Sequence, residues 1–270
     1  MLITWALALC RWFPAIRRRL WRWWYQRLAR QGGAGAWTFM NYGWRAPDGE
    51  GAALEPADEA DRSGIQLYRR VVGPVELAGR CVLEVGCGRG GGASYLARYH
   101  RPAELVAVDY AKAAVELCRR RHAAVPNLRF VVGDAERLPF AAQTFDAVVN
   151  VESSHCYGDI AQFFREVARV LRPGGYFLFA DVRPTDAMPA LESALDRPHG
   201  WRRLEEEDLA AGVLAALAAD DAGKRRLIAD IVPRKRERVF GEFAALVGTA
   251  MYQGFGDRSL CYRRWILRKD

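Results

Sequence analysis

A glycine-rich loop between a buried strand and a helix constrains the fold of this chain more than any other feature. The loop reads EVGCGRGGG at residues 84–92, after an apolar run at 81–85 and before a helical pattern at 93–99. Gly86 and Gly88 let the backbone turn tightly and approach a ligand with no Cβ atom in the way. The loop therefore belongs at the carboxyl end of a strand in an α/β sheet, where such sheets bind nucleotide-like ligands.

Strands and helices alternate on both sides of this loop. Helices are predicted at residues 62–72, 93–99, 111–121 and 160–171, and strands at 81–85, 105–109, 129–132, 147–151 and 176–181. Alternation at this spacing is typical of parallel βαβ units. We expect a doubly wound, Rossmann-like α/β sheet.

A length of 270 residues fits one α/β domain with helical additions. Within a single domain at 1–270 we expect four parts. They are a basic, Trp-rich N-terminal helical segment with its linker at 1–61, a cofactor-binding core at 62–186, a helical substrate cap inserted late in the sheet at 187–247, and C-terminal strands at 248–270.

The glycine loop alone leaves two ligands open. Gly86, Gly88 and Gly91 satisfy the G-x-G-x-x-G spacing of an NAD-binding domain. Glu84, however, places a carboxylate where a sulfonium ligand carrying an ammonium group would favour it, whereas the pyrophosphate of a dinucleotide would not. This carboxylate favours a cationic ligand.

Carboxylates also follow the next two strands. Asp109 ends the second strand, 21 residues after Gly88, and can accept hydrogen bonds from both hydroxyls of a ribose. Asp134 lies in a Gly-Asp-Ala sequence after the third strand and can accept from an adenine amino group. The sequence LRPGGY at 171–176 then predicts a turn at residues 173–175 before the fifth strand.

In this order, the motifs resemble those of the class I S-adenosylmethionine-dependent methyltransferases. The resemblance implies an enzyme of this class, S-adenosylmethionine as its cofactor, and a seven-stranded sheet whose last strand, expected at 260–267, is antiparallel. It also implies a set of cofactor-binding residues, running from the methionine moiety through the ribose to the adenine, with Asn150 at the sulfonium side: Glu84, Gly86, Gly88, Asp109, Tyr110, Asp134, Ala135 and Asn150.

The loop NVESSHCY at residues 150–157 follows the fourth strand, where this fold faces the transferred methyl group. It resembles the loop of small-molecule O-methyltransferases, in which a histidine at the position of His155 takes a proton from a hydroxyl. The ordinary pKa of histidine, near 6.5, suits this task. Asp181, at the end of the fifth strand, is expected to hold the imidazole tautomer. A purely positional role for His155 remains open, because proximity alone supplies much of the rate with a reactive sulfonium.

A closer resemblance is carried by WRWWY at 21–25, NY at 41–42, GGGASY at 90–95, SHCY at 154–157 and ADVRP at 180–184. These segments are similar to those of bacterial methyltransferases that modify polyketide-derived lipids. The resemblance implies O-methylation of a hydroxyl on a small, apolar natural product or lipid. Two alternatives stay open: C-methylation of a quinone or isoprenoid ring, and a non-catalytic protein that binds a lipid or a carrier domain.

The net charge of +8 is confined to one end of the chain. Residues 1–47 hold eight arginines and no acidic residue, which leaves 32 basic and 32 acidic residues elsewhere, so no nucleic-acid partner is expected. The Arg- and Trp-rich helical pattern of the first 30 residues fits a surface that docks on an anionic membrane or captures an apolar substrate, and it fits equally a helix packed on the core. The apolar stretch at 1–10 is much shorter than a membrane span.

The six cysteines are scattered without C-x-x-C spacing, at positions 10, 81, 87, 118, 156 and 261. This pattern favours reduced thiols in a cytoplasmic protein and predicts no metal site. Peripheral association with a membrane is expected only through the basic segment.

Overall fold

The computed structural model describes residues 37–46, 51 and 53–270. The predictions for the N-terminal segment at 1–36, with its arginines and tryptophans, lie outside these described residues. Seven strands form one sheet: β1 (Cys81–Val85), β2 (Glu104–Asp109), β3 (Leu128–Val132), β4 (Phe145–Val151), β5 (Leu171–Pro184), β6 (Trp201–Asp208) and β7 (Leu260–Lys269). Eight helices surround it in the described part of the chain: α1 (Arg62–Val72), α2 (Gly91–Tyr99), α3 (Lys112–Arg121), α4 (Ile160–Val170), α5 (Met188–Leu195), α6 (Ala210–Ile231), α7 (Arg234–Phe243) and α8 (Ala250–Gly256).

The strand order is β3-β2-β1-β4-β5-β7-β6. The first five strands pair in parallel, and β7 pairs antiparallel with both β5 and β6. The order reverses between β1 and β4, so the loops after these strands diverge and leave a crevice at their carboxyl ends. The expected doubly wound α/β sheet of seven strands, with an antiparallel last strand, is confirmed.

Alternating side chains of the strands build a core on each face of the sheet. Val82 and Leu105 pack against α1, α2 and α3, whereas the next residues, Leu83 and Val106, pack against α4 and α5. The central strands are buried on both faces, which is why their sequences are mostly apolar and do not alternate between apolar and polar residues.

The turn predicted at residues 173–175 lies within β5 instead of before it. Pairing with β4 jumps from Phe145–Leu171 to Ala147–Tyr176, so residues 172–175 form a bulge opposite Asp146. Gly174 adopts a φ of +75°, which suits a glycine in such a bulge.

The region predicted as a helical cap at 187–247 is more varied than expected. It contains β6, an edge strand whose WRRLEEED sequence has charged side chains on both faces and therefore lacks the apolar alternation of a half-buried strand. It also contains α5, which packs on the core beside α4. Of this region, only α6 and α7 lie over the carboxyl ends of the strands, next to residues 37–46. The part predicted to hold C-terminal strands contains one helix, α8, followed by one strand, β7.

Candidate functional site

The glycine loop after β1 is held against β2. The N–H groups of Gly86 and Cys87 both donate to the carbonyl of Val108, over 2.8 and 3.1 Å. Gly86, Gly88 and Gly90 adopt φ values of +80°, +54° and +83°, which side chains rarely tolerate. The loop thus presents bare backbone to the crevice at the carboxyl ends of the strands.

A cavity, called here the cofactor cavity, lies in this crevice. Six of the eight residues predicted to bind the cofactor line it: Gly86, Gly88, Asp109, Tyr110, Asp134 and Ala135. Asp109 accepts the N–H of Gly88 on Oδ2 over 2.9 Å and that of Ala111 on Oδ1 over 2.8 Å. Each carboxylate oxygen keeps a second lone pair, so this side chain is positioned to accept a ribose diol as well.

Glu84 and Asn150 do not line the cavity, so their contact with the cofactor stays a prediction. Glu84 is 1% exposed and accepts the hydroxyl hydrogen of Tyr68 over 2.6 Å. The amide of Asn150 is fully buried and donates to the carbonyl of Val85 over 2.8 Å, which ties β4 to β1. Glu84 pairs with Val149 of β4, so Asn150, the next residue, faces the opposite side of the sheet from Glu84. Each side chain contacts residues that line the cavity: Tyr68 for Glu84, and Ser153 and Tyr157 for Asn150.

The residues present suit S-adenosylmethionine. Bare glycine backbone, the carboxylate of Asp109 at the second strand end and Asp134 at the third lie along one cavity. Burial raises the pKa of Glu84 to about 7, against the lowering effect of the Tyr68 hydroxyl, and Oε2 of Glu84 has no hydrogen-bond partner among the described residues. A cationic ligand just beyond this wall would stabilise its ionised form.

The loop after β4 brings His155 and Asp181 together as predicted. Nδ1 of His155 lies 2.9 Å from Oδ1 of Asp181, and the backbone N–H of His155 donates to Oδ2 over 2.9 Å. Asp181 is completely buried, and it also accepts from Ser154 and pairs with Arg183 over 2.9 Å. Arg183 and His155 outweigh burial and hold the pKa of Asp181 well below its ordinary value.

About a quarter of the His155 side chain is exposed. Burial lowers the pKa of His155, but Cys156 and Asp181 beside the ring outweigh it and hold the pKa well above the ordinary value. His155 itself does not line the cofactor cavity, although its neighbours Ser153, Cys156 and Tyr157 do. The imidazole ring of His155 therefore lies next to the wall of the cofactor cavity.

Glu152 is a residue of this loop that sequence reasoning missed. It lines the cofactor cavity, adopts a φ of +49°, and its two carboxyl oxygens accept the backbone N–H of Tyr42 over 3.1 and 3.0 Å. Burial raises the pKa of Glu152 to about 8, against the lowering effects of that N–H and of His155. Glu152 is an acidic residue at the end of a buried strand, as Asp109 is. The same sequence signal that predicted Asp109 would therefore have predicted Glu152.

A second cavity of about 580 Å³, called here the acceptor cavity, lies between α6, α7 and the segment at residues 37–43. Three residues line both cavities: Phe39, Met40 and Asn41. The two cavities are therefore neighbours that share this segment as a wall. Lys224 of α6 lines the acceptor cavity, and its ammonium group lies 3.5 Å from the carbonyl of Tyr42 in the same segment.

Comparison with known proteins identifies the family. A family model described as a methyltransferase domain matches residues 83–179, the part that supplies most of the residues lining the cofactor cavity. The phthiotriol/phenolphthiotriol dimycocerosates methyltransferase of Mycobacterium tuberculosis (strain ATCC 25618 / H37Rv) is 40% identical over 253 residues, 94% of this chain and 93% of that one. The chain belongs to this methyltransferase family.

Two further similarities agree with this family. A fatty-acid O-methyltransferase of Mycolicibacterium smegmatis (strain ATCC 700084 / mc(2)155) is 51% identical over 158 residues, 58% of this chain and 57% of that one. A geranyl diphosphate methyltransferase solved in complex with SAM has the same fold, with a TM-score of 0.59 and 19% identity over 86% of this chain and 99% of that one. The chain is an S-adenosylmethionine-dependent methyltransferase, and these relatives are named as methyltransferases of lipids.

Within the part of the chain that the structure describes, no helix has the length and apolar character needed to cross a membrane.

Proposed function

We propose that this methyltransferase transfers its methyl group to a hydroxyl of a long, apolar, polyketide-type natural product or lipid. The observation that carries the proposal is that the acceptor cavity adjoins the cofactor cavity and shares Phe39, Met40 and Asn41 with it as lining residues. The acceptor cavity is walled largely by apolar side chains of α6 and α7, which suit an alkyl chain: Leu227, Ile228, Ile231, Phe240 and Phe243. The related proteins named above act on lipids, which supports the same class of acceptor.

His155 is proposed as the proton acceptor for the hydroxyl, and Asp181 as the residue that positions it. When bound, the cofactor supplies a methyl group on a sulfonium centre. Asp181 holds Nδ1 of His155 over 2.9 Å, so in this proposal the proton of the hydroxyl goes to Nε2. The raised pKa of His155 makes its neutral form a stronger base than ordinary histidine.

The alternative of C-methylation uses the same core and differs only in the acceptor atom. The decisive experiment supplies purified chain with ¹³C-methyl S-adenosylmethionine and dodecan-1-ol, and locates the label by NMR. A label on oxygen supports the proposal. A quinone and an isoprenoid are offered as acceptors in parallel. If the label enters only their ring carbons, the protein is a C-methyltransferase and the proposal is rejected.

The non-catalytic alternative disagrees with the family membership. Contact of the basic N-terminal segment with a membrane or a carrier domain remains a proposal alongside catalysis. Vesicles containing anionic lipid test it: co-sedimentation that is lost when residues 1–36 are deleted supports the contact, and equal co-sedimentation of both chains rejects it.

A further inference from the structure

We propose that Glu152 is a second catalytic residue, which in its neutral form donates a hydrogen bond to the oxygen of the acceptor hydroxyl while His155 takes the proton. The inference rests on the proposed function, because it assigns a partner to the lone pair of the acceptor oxygen that does not attack the methyl group.

Glu152 stands where the cofactor cavity adjoins the acceptor cavity. The residue is half-buried and lines the cofactor cavity. Its two carboxyl oxygens accept the backbone N–H of Tyr42, a residue that lines the acceptor cavity, over 3.1 and 3.0 Å. A reacting oxygen has to lie between the sulfonium centre of the cofactor and its own alkyl chain, and therefore between the two cavities. The carboxyl group of Glu152 is beside that position.

The backbone at Glu152 is strained. Strand β4 ends at Val151, and Glu152 then adopts a left-handed φ of +49°, which is uncommon for a residue other than glycine. Its N–H donates to the carbonyl of Ala180 in β5 over 2.9 Å, so the turn is anchored to the sheet. Backbone strain of this kind persists where the surrounding structure enforces it, and it is concentrated at sites that contact ligands. Here it coincides with the point where Glu152 leaves the strand and reaches Tyr42.

The surroundings of Glu152 favour its neutral form. Burial raises the pKa of Glu152 to about 8, against the lowering effect of the N–H of Tyr42. Of the nearby charges, His155 and Lys224 lower this pKa and Asp181 raises it. Three tyrosines from other elements also interact with the carboxyl group: Tyr42, Tyr68 and Tyr262. Glu152 is therefore mostly protonated at neutral pH and has an O–H group to donate.

A neutral carboxyl group suits the oxygen of an alcohol, which has two lone pairs and one hydrogen. One lone pair forms the new O–CH₃ bond while the S–CH₃ bond breaks and its electron pair stays on sulfur. The hydroxyl proton passes to Nε2 of His155. The second lone pair accepts the O–H of Glu152, which fixes the direction of the first. Glu152 keeps its proton, and the products are a methyl ether, S-adenosylhomocysteine and protonated His155.

The test follows methylation of dodecan-1-ol by the full chain with labelled S-adenosylmethionine, from about pH 6 to about pH 10. For each variant we measure kcat and KM and, by calorimetry, the affinity for S-adenosylmethionine. Glu152→Gln keeps a donor and an acceptor but does not titrate, whereas Glu152→Leu has a similar size and keeps neither.

A matched pair of lysine variants tests the charge around Glu152. Lys224→Met removes a cation that lowers the pKa of Glu152, and Lys235→Met removes one from the exposed side of α7. The pKa of Glu152 should therefore rise in Lys224→Met and stay unchanged in Lys235→Met.

We expect the rate, which rises as His155 loses its proton, to pass through a maximum and fall as Glu152 ionises. Glu152→Gln should abolish the fall while retaining most of the activity at neutral pH. Glu152→Leu should lower kcat at least about tenfold, with a smaller effect on KM. Lys224→Met should move the fall to higher pH, and Lys235→Met should leave it in place.

Three results would overturn the inference and leave the proposed acceptor standing. They are a fall that persists in Glu152→Gln, an unchanged kcat in Glu152→Leu, and equal positions of the fall in the two lysine variants. Loss of activity at every pH in Glu152→Gln would also overturn it, because the amide retains the donor. A wild-type chain that binds S-adenosylmethionine but leaves dodecan-1-ol unmethylated would overturn the proposed function and the inference with it.

Discussion

Tyr68 donates its hydroxyl hydrogen to Oε1 of Glu84 over 2.6 Å, and both side chains are buried behind the glycine loop. The other carboxyl oxygen of Glu84 has no hydrogen-bond partner among the described residues. Because burial raises its pKa to about 7, this carboxyl titrates near neutrality in the free protein. Its protonation should therefore be linked to the charge of the ligand that occupies the cofactor cavity.

The affinity for S-adenosylmethionine is expected to rise with pH. The ligand carries a sulfonium charge that favours the ionised form of Glu84, so binding releases a proton while the pH is below about 7. Calorimetry should show about a tenfold tighter dissociation constant at pH 8 than at pH 6.

Two controls isolate the charge of Glu84. Glu84→Gln should flatten the pH dependence, and S-adenosylhomocysteine, which lacks the sulfonium charge, should show a weaker dependence than the cofactor. Equal slopes for wild type and Glu84→Gln would show that another group controls binding.

Asp109→Asn is expected to weaken cofactor binding about 10- to 100-fold, because an amide replaces a charged acceptor of the ribose hydroxyls. The amide also fits less well against the N–H groups of Gly88 and Ala111, which both donate to this side chain. Glu116→Gln, the same change at an exposed position of α3, is the matched control. Similar dissociation constants for the two variants would remove Asp109 from the site.

Much of the fold could be predicted because its signals are local. Central strands such as β1 are apolar at nearly every position, with Glu84 as the exception, and the glycines and Asp109 occupy fixed places at the strand ends. The edge strand β6 was missed because water solvates both of its faces, so Trp201–Asp208 carries no apolar alternation.

The candidate site could be predicted only where backbone position determines it. The sequence placed Glu84 at a strand end, but the direction of its side chain depends on Tyr68 of α1, a contact across 16 residues. The left-handed backbone of Glu152 has no sequence signal, since it is not a glycine. Lys224 lies in a helix rich in charged residues, and only its approach to Tyr42, 182 residues away, sets it apart.

Methylation of an alcohol is expected to accelerate with rising pH, because only neutral His155 can accept a proton and its pKa lies above the ordinary value. His155→Asn should lower kcat about 100-fold. Asp181→Asn should move the midpoint of the pH–rate profile to lower pH, since Asp181 helps to raise the pKa of His155. An unmoved midpoint in Asp181→Asn would contradict His155 as the titrating base.

Replacement of Gly86 by alanine should abolish cofactor binding and destabilise the fold more than the same change at Gly79. Both glycines have left-handed backbones, with φ values of +80° and +69°, so each substitution carries about 1–2 kcal/mol of backbone strain. A Cβ atom at Gly86 would also lie 2.3 Å from Oγ of Ser153 and 3.0 Å from the hydroxyl of Tyr157, whereas a Cβ at Gly79 would meet nothing within 4 Å. Urea unfolding and cofactor titration of the two variants separate strain from collision. The expectation is contradicted if both variants lose the same stability and Gly86→Ala still binds the cofactor. The loop after β4 would then move to accommodate the Cβ atom, and close packing of Ser153 on the glycine loop would not shape the cavity.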